Sequence, residues 1–293
     1  MNNHICAFRD DTRSKEAEEF VRKNGFTLPL QIFQIMSFFI FILIITLIFL
    51  MTAFNTDHIL FSLFYIFFGT LIIIIFILTY VVTKTNPVDP LSFKYLNDMI
   101  NEEEIKDLYQ CDICGFVQPE SKHCKVCNKC VSVFDHHCMW VNNCIGKKNY
   151  KYFVGLLSTL TLFNCFVFVF CIVYFIISLK HDLIKNRWKY FYGSYNDISF
   201  YILLSSLFIL NGVVFVLVIQ LFGLHIFLIS KKMTTYEYIL NRSHHSEAEG
   251  RNKIRTFFDW IIIDKKRSKR SQNLDQDIER HEIERGEITL KNY

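Results

Sequence analysis

The sequence predicts an all-α integral membrane protein of four transmembrane helices, with a Cys/His-rich domain inserted between the second and the third. Two observations carry this. The apolar residues, 52% of the 293 and including 31 Phe against 4 Pro, gather in four stretches, each close to the ~20 residues that cross a bilayer. Seven of the ten cysteines fall between Cys111 and Cys144. The net charge of +4 comes without a basic face, so no nucleic-acid partner is expected.

The first span is read over about 30–54, through FFIFILIITLIFL, and the second over about 59–82, through LIIIIFILTYVV. Only a few residues around NTDH separate them, so they form a helical hairpin. The third span covers about 152–178 and the fourth about 200–229. Four runs of this length with almost no charge inside cannot all be buried in a chain of this size. The expected order is an N-terminal segment 1–29, helices 1 and 2 over 30–82, the Cys/His domain over 83–151, helices 3 and 4 over 152–229 with a loop at about 179–199, and a tail over 230–293.

An even number of spans places 1–29, 83–151 and the tail on one side. That side carries Arg22, Lys23, Lys84, Lys147, Lys148, Lys151, Lys231 and Lys232 near the membrane, which marks it as cytosolic. Lys180, Lys185, Arg187 and Lys189 in the lumenal loop run against this pattern, whereas the hairpin loop offers no basic residue. The first 29 residues hold Asp10, Asp11, Glu16, Glu18 and Glu19 and no short apolar core, unlike a signal peptide. Asn2 does not fit N-myristoylation. In the tail, Ile254, Phe257, Phe258, Ile261 and Ile262 share a helical face ahead of Lys265, Lys266, Arg267, Lys269 and Arg270. This is the pattern of an interfacial helix with a polybasic run, or of a small docking helix. No internal repeat is evident.

Between residues 111 and 146 the chain reads CDICGFVQPESKHCKVCNKCVSVFDHHCMWVNNCIG. Cys111-x2-Cys114 and Cys124-x2-Cys127-x2-Cys130 have zinc-knuckle spacing, since two intervening residues let a turn aim both sulfurs at one ion. The segment has little apolar mass, so metal binding supplies much of its folding free energy, and a cytosolic location keeps its thiols reduced. Ten ligand candidates are present: Cys111, Cys114, His123, Cys124, Cys127, Cys130, His136, His137, Cys138 and Cys144. Two structural zinc ions take four each. Three consecutive side chains at His136, His137 and Cys138 cannot easily face one closed shell, so the surplus pair falls among them. A free cysteine beside a histidine and an aspartate suits nucleophilic catalysis, with Cys138 attacking, His136 handling the proton and Asp135 orienting the imidazole.

The run Asp135-His136-His137-Cys138, followed by Val141-Asn142-Asn143-Cys144-Ile145-Gly146 and Asn149, resembles the signature of the DHHC protein S-acyltransferases, as does KHCKVCNKCVSVF before it. Thr234-Thr235-Tyr236-Glu237 resembles that family's TTxE motif, and Arg251-Asn252 through Phe257 faintly resembles its C-terminal patch. The resemblance implies four spans and a two-step ping-pong reaction. Cys138 takes a long-chain acyl group, usually palmitoyl, from acyl-CoA and passes it to a cysteine of a membrane-proximal protein. It also implies His136 as general base polarised by Asp135. One zinc is then held by Cys111, Cys114, His123 and Cys130, the other by Cys124, Cys127, His137 and Cys144. Golgi or another secretory-pathway membrane is the usual place for such enzymes.

A palmitoyl tail needs burial worth ~0.8 kcal/mol per CH₂, and FNCFVFVF at 163–170 either lines a cavity or faces lipid. Lys147, Lys148, Lys231 and Lys232 are placed to meet CoA phosphates, although membrane topology explains them equally. The sequence departs from the family at Met139, where Pro is usual, at Asn86-Pro87-Val88 in place of a DPG motif, and in the shortened loop 119–123. Cys6, Cys165 and Cys171 have no motif role. The other function class is a membrane-anchored zinc scaffold or regulatory partner subunit. A RING-like domain also interleaves two zinc sites but needs no surplus His–Cys pair. A transporter would be marked by paired ionisable groups in its spans.

Overall fold

The structure is a computed structural model and describes residues 21–53, 59–96, 109–180, 183–194 and 196–249. Cys6, the early acidic residues, the hairpin loop, the 251–264 stretch and the basic run after it lie outside the described residues.

Among the described residues, four helices are long and apolar enough to cross a membrane. They are α1 (Ile32–Thr52), α2 (Ile59–Lys84), α4 (Tyr150–Lys180) and α6 (Asp197–Ser230). No more than 28% of any span's most apolar stretch is buried within the protein. The remaining apolar surface suits lipid, where a helix satisfies its backbone internally. The chain is a multi-pass membrane protein.

The buried positions follow the helical repeat. Ile44, Leu47, Ile48 and Met51 of α1 meet Phe68, Leu71 and Ile75 of α2, Phe163, Val167, Cys171 and Tyr174 of α4, and Phe200, Leu204 and Leu207 of α6. Helix α6 packs along α4, with α2 also against α4 and α1 against α6. Amides support the α4–α6 seam, as expected where lipid removes the hydrophobic drive between helices. Asn211 Nδ2 donates to the Asn164 backbone oxygen at 3.0 Å. Asn196 caps α6 through hydrogen bonds from the Ile198 and Ser199 backbone N–H groups, and this carries α6 three residues beyond the expected start at 200. The loop expected at 179–199 contains a helix, α5 (Leu183–Tyr192), whose Trp188 packs edge-on against Phe200 at 5.3 Å. Helix α7 (Thr235–Glu249) follows α6.

Among the described residues between α2 and α4 lie α3 (Pro90–Leu96) and six three-residue strands: β1 (Tyr109–Cys111), β2 (Gly115–Val117), β3 (Lys122–Cys124), β4 (Lys129–Val131), β5 (His136–Cys138) and β6 (Asn143–Ile145). They pair as three antiparallel hairpins, β1–β2, β3–β4 and β5–β6. This unit is tied to the end of α2 through carbonyls a helix C-terminus leaves without partners. Asn143 Nδ2 donates to the carbonyls of Val82, Thr83 and Thr85 at 2.9, 3.2 and 2.7 Å. The segment before α1 straps the same junction. Arg22 N donates to Cys127 O and Gly25 N to Thr83 O, while buried Lys129 reaches Lys23 O at 2.8 Å. A Cβ on Gly25 would sit 2.1 Å from Val141 O, so only glycine permits this approach.

Candidate active site

The hairpins explain how the ligands interleave. Successive residues of a strand point to opposite faces. His123 lies opposite Cys130, and both turn toward Cys111 and Cys114, while adjacent Cys124 turns the other way. His137 lies opposite Cys144, and both turn toward Cys124 and Cys127. The Cys–Cys pair of one hairpin therefore meets the His–Cys pair of the next. Gly115 and Asn128, directly after the second cysteine of each CxxC, have φ of 72° and 50°, the left-handed turn that glycine and asparagine tolerate best.

Within each group of four, the donor atoms lie within 4.8 Å of one another. His123 Nδ1 is 3.9, 3.2 and 3.9 Å from the sulfurs of Cys111, Cys114 and Cys130. His137 Nδ1 is 3.9, 3.3 and 3.7 Å from those of Cys124, Cys127 and Cys144. Tetrahedral zinc with bonds of about 2.3 Å to sulfur and about 2.0 Å to nitrogen separates its ligands by about 3.5–3.8 Å. The Cys127 and Cys144 sulfurs stand 3.4 Å apart, too far for a disulfide at about 2.05 Å, and all six cysteines are free and buried. Both groups have the donors and spacing to hold structural zinc.

Residues 122–131 and 136–145 share one hairpin register, fourteen positions apart. His123 corresponds to His137, Cys124 to Cys138, Asn128 to Asn142 and Cys130 to Cys144, and Asn142 repeats the left-handed turn at φ 52°. The chain thus holds an internal repeat that sequence reading missed, because ten residues with few identities give no visible period. In the second copy Val141 stands where Cys127 stands in the first. Cys138 occupies the position of a zinc-knuckle cysteine whose partner sulfur has been replaced by a methyl pair.

The same alternation places His136 and Cys138, two residues apart, on the face away from His137. Cys138 is buried with Val82 of α2 and Phe153 and Leu157 of α4, and Leu221 and Phe222 of α6 flank the cluster. The thiol therefore lies where the hairpin unit meets three spans. Trp140 packs against Phe33 of α1 at 5.3 Å.

Asp135, 2% exposed, organises the next layer. Its Oδ2 accepts from His136 Nδ1 at 2.6 Å and from Thr235 Oγ1 at 2.8 Å, and its Oδ1 accepts from Thr235 N at 2.9 Å. Thr235 opens α7, whose first turn is a capping box. Thr234 N donates to Glu237 Oε2 at 2.7 Å and Glu237 N to Thr234 Oγ1 at 3.2 Å. The carboxylate thus sits on the positive end of a helix. Burial pushes the Asp135 carboxyl up, but the hydrogen bonds and charge of His136, with the Thr235 backbone N–H, outweigh it and hold the group below its usual range. Burial pulls His136 down, and the Asp135 carboxylate with the Cys138 sulfur overcomes this and raises the imidazole to about 10.

The 34-residue helix α6 supplies a residue that sequence reading did not single out. His225 is 1% exposed, and its ring lies 5.8 Å from that of His136. A lone histidine in an otherwise apolar span was the available signal. Of the basic residues near the junction, Lys147, Lys231 and Lys232 are exposed, and Lys148 donates to Val88 O at 3.1 Å. The Phe-rich run divides, with Phe163 fully buried and Phe166 41% exposed. The unusual Asn86 accepts from Lys129 Nζ at 2.9 Å. The short loop is closed by Ser121 N donating to Gln118 O and by the Ser121 hydroxyl donating to buried Asp89.

Residues 104–242 match the family model of the DHHC palmitoyltransferases. The chain is 38% identical over 148 residues to palmitoyltransferase ZDHHC9 of Pongo abelii, a match covering 49% of this chain and 36% of that protein. It is 34% identical over 152 residues to protein S-acyltransferase 8 of Arabidopsis thaliana, covering 51% and 35%. Its 34% identity over 152 residues to palmitoyltransferase ZDHHC8 of Drosophila melanogaster covers 50% and 14%. The matched region therefore spans about a third or less of these relatives. With two Cys/His clusters between the second and third spans and the Asp135–Cys138 strand at the membrane junction, residues 104–242 of this chain form a DHHC palmitoyltransferase domain.

Proposed function

We propose that this protein is a protein S-acyltransferase that moves a long-chain acyl group, palmitoyl in the first instance, from acyl-CoA through a Cys138 thioester to cysteines of membrane-associated proteins. The observation that carries this reading is the face shared by His136 and Cys138, backed by Asp135 and set against the ends of the spans. A thiol there can meet a thioester whose tail lies among apolar helices and whose head group remains in water.

In the first step the proton of the Cys138–His136 pair rests on the raised imidazole, the Cys138 sulfur bonds to the acyl carbonyl carbon and the carbon–sulfur bond to CoA breaks. The CoA thiolate leaves with the proton from His136. In the second step a substrate cysteine gives its proton to His136 and attacks the Cys138 thioester, and the Cys138 sulfur takes the proton back. Asp135 fixes the imidazole with Nδ1 toward itself and stabilises the imidazolium formed in each step. Cys111, Cys114, His123 and Cys130 hold one zinc and Cys124, Cys127, His137 and Cys144 the other. The second would cross-link the hairpin bearing Cys138 to β3–β4, and the first would cross-link β3–β4 to β1–β2.

The hairpin unit and both termini face the cytosol of a Golgi or other secretory-pathway membrane, which supplies reduced thiols and acyl-CoA. Acyl-enzyme freed of palmitoyl-CoA tests the cycle: mixing it with a lipid-anchored cysteine peptide should move the chain to the peptide. A stable acyl-enzyme that never transfers would favour the zinc-scaffold or partner-subunit reading.

A further inference from the structure

Asp135, His136 and His225 bring one donor atom each within 4.8 Å of the others. The cluster is better read as a hydrogen-bonded Asp135–His136 pair with His225 packed beside it than as a third metal centre. Asp135 already receives three hydrogen bonds, and the 2.6 Å contact between Asp135 and His136 is shorter than the separation of two ligands on one zinc, about 3 Å or more. What needs explanation is the imidazole itself, buried in a membrane-spanning helix where polar groups are costly.

Its surroundings are specific. The His225 Nδ1 lies 3.2 Å from the Tyr150 hydroxyl, on the first residue of α4. Its ring packs edge-on against Phe153 at 5.2 Å, and the same Phe153 ring meets His136 at 5.3 Å. His136 is thus held on one side by Asp135 and faces Phe153 and His225 on others. Asp135 is tied to α7, Phe153 and Tyr150 belong to α4, and His225 to α6. The proton-handling ring is fixed by groups from three helices beyond its own hairpin.

We propose that His225, hydrogen-bonded to Tyr150, is a positioning residue for the Asp135–His136 pair, holding the imidazole in the orientation that serves Cys138. The assignment rests on the acyltransferase reading for its purpose, and its geometry stands independently. A ring fixed by Tyr150 at this place fills the volume behind His136 and limits how far the His136 ring can turn. Loss of its polar edge frees Tyr150 and lets the His136 ring tilt, and misplacement of a reacting group by about 1 Å costs on the order of a hundredfold in rate.

The test compares full-length parent protein with His225→Phe, which keeps a ring, His225→Gln, which keeps hydrogen-bonding groups, and Tyr150→Phe. Two rates are read: acyl-enzyme formation at saturating palmitoyl-CoA with its KM, and alkylation of the Cys138 peptide by iodoacetamide, which needs no acyl-CoA. Zinc content reports folding. His225→Phe should acylate about ten- to a hundredfold more slowly, with KM within about twofold, slower Cys138 alkylation and zinc unchanged. His225→Gln should recover most of the loss, and Tyr150→Phe should fall between. If His225→Phe acylates and alkylates at parental rates, or if Phe and Gln are equally impaired, the proposal is overturned. Should His225→Phe not fold, the Gln variant decides alone: near-parental rates support the proposal, and a tenfold loss with unchanged alkylation overturns it. A parent that alkylates but never acylates would defeat the acyltransferase reading while the alkylation series still decides the role of His225.

Discussion

Replacing Thr235 by Val removes one hydrogen bond from the buried Asp135 carboxylate and little else. The two side chains have nearly the same shape, and Thr235 is 2% exposed, so water does not readily fill the place of the lost hydroxyl. Asp135 keeps the Thr235 backbone N–H at 2.9 Å and His136 at 2.6 Å and loses the 2.8 Å bond from Oγ1. A hydrogen bond to a charged group is worth about 1.5–3 kcal/mol. If about 2 kcal/mol of that supports the imidazolium paired with the attacking Cys138 sulfur, the acylation rate falls by up to about thirtyfold. The capping box of Thr234 and Glu237 is untouched, so α7 should persist. The assay is single-turnover acyl-enzyme formation at saturating palmitoyl-CoA, with zinc content measured on the same sample. A rate within twofold of parent would refute the role given to the Thr235–Asp135 contact.

Other expectations follow from the same geometry. Val141→Cys restores the missing knuckle sulfur beside Cys138, so cadmium titration should reveal binding beyond two ions per chain and suppress acylation; unchanged stoichiometry with parental acylation would argue against the repeat. His136 is raised to about 10 from an ordinary value near 6.5, so its contribution to stability is complete below about pH 6.5 and lost as pH rises through about 10. The melting-temperature gap between parent and His136→Gln should therefore narrow from pH 6.5 to 10, and a widening gap would contradict the assignment. Asn143→Leu removes the amide shared by three carbonyls at the end of α2, of which Thr83 O keeps the Gly25 backbone N–H, and should cost about 1–3 kcal/mol in stability, read as earlier thermal unfolding; a variant as stable as parent would show that these bonds do not anchor the hairpin unit.

The spans were legible because each contains a long apolar run, and a metal-binding segment because CxxC spacing constrains where sulfurs can point, whereas the division of its ligands between two ions came only from the family resemblance. Their ends were less so. Helix α4 begins at Tyr150 rather than 152 and α6 at Asp197 rather than 200, since aqueous caps such as Asn196 extend a helix past its apolar part. Three-residue strands carry almost no periodicity, so the hairpins that separate His136 and Cys138 from His137 were hidden, although counting ligands had already left two residues over. The bond from Thr235 to Asp135 crosses a hundred residues of sequence, and the nearness of His225 to His136 depends on how α6 packs against α4. Contacts of that kind are fixed by tertiary packing and leave no local pattern.

The central claim, that Cys138 carries the acyl chain, is tested most directly by mass spectrometry of detergent-purified protein exposed to palmitoyl-CoA, followed by peptide mapping. The account predicts one hydroxylamine-labile palmitoyl group on the Cys138 peptide, absent in Cys138→Ser while zinc remains at two ions per chain. Folded, fully metallated protein that acquires no chain, or acquires it equally in Cys138→Ser, would contradict it.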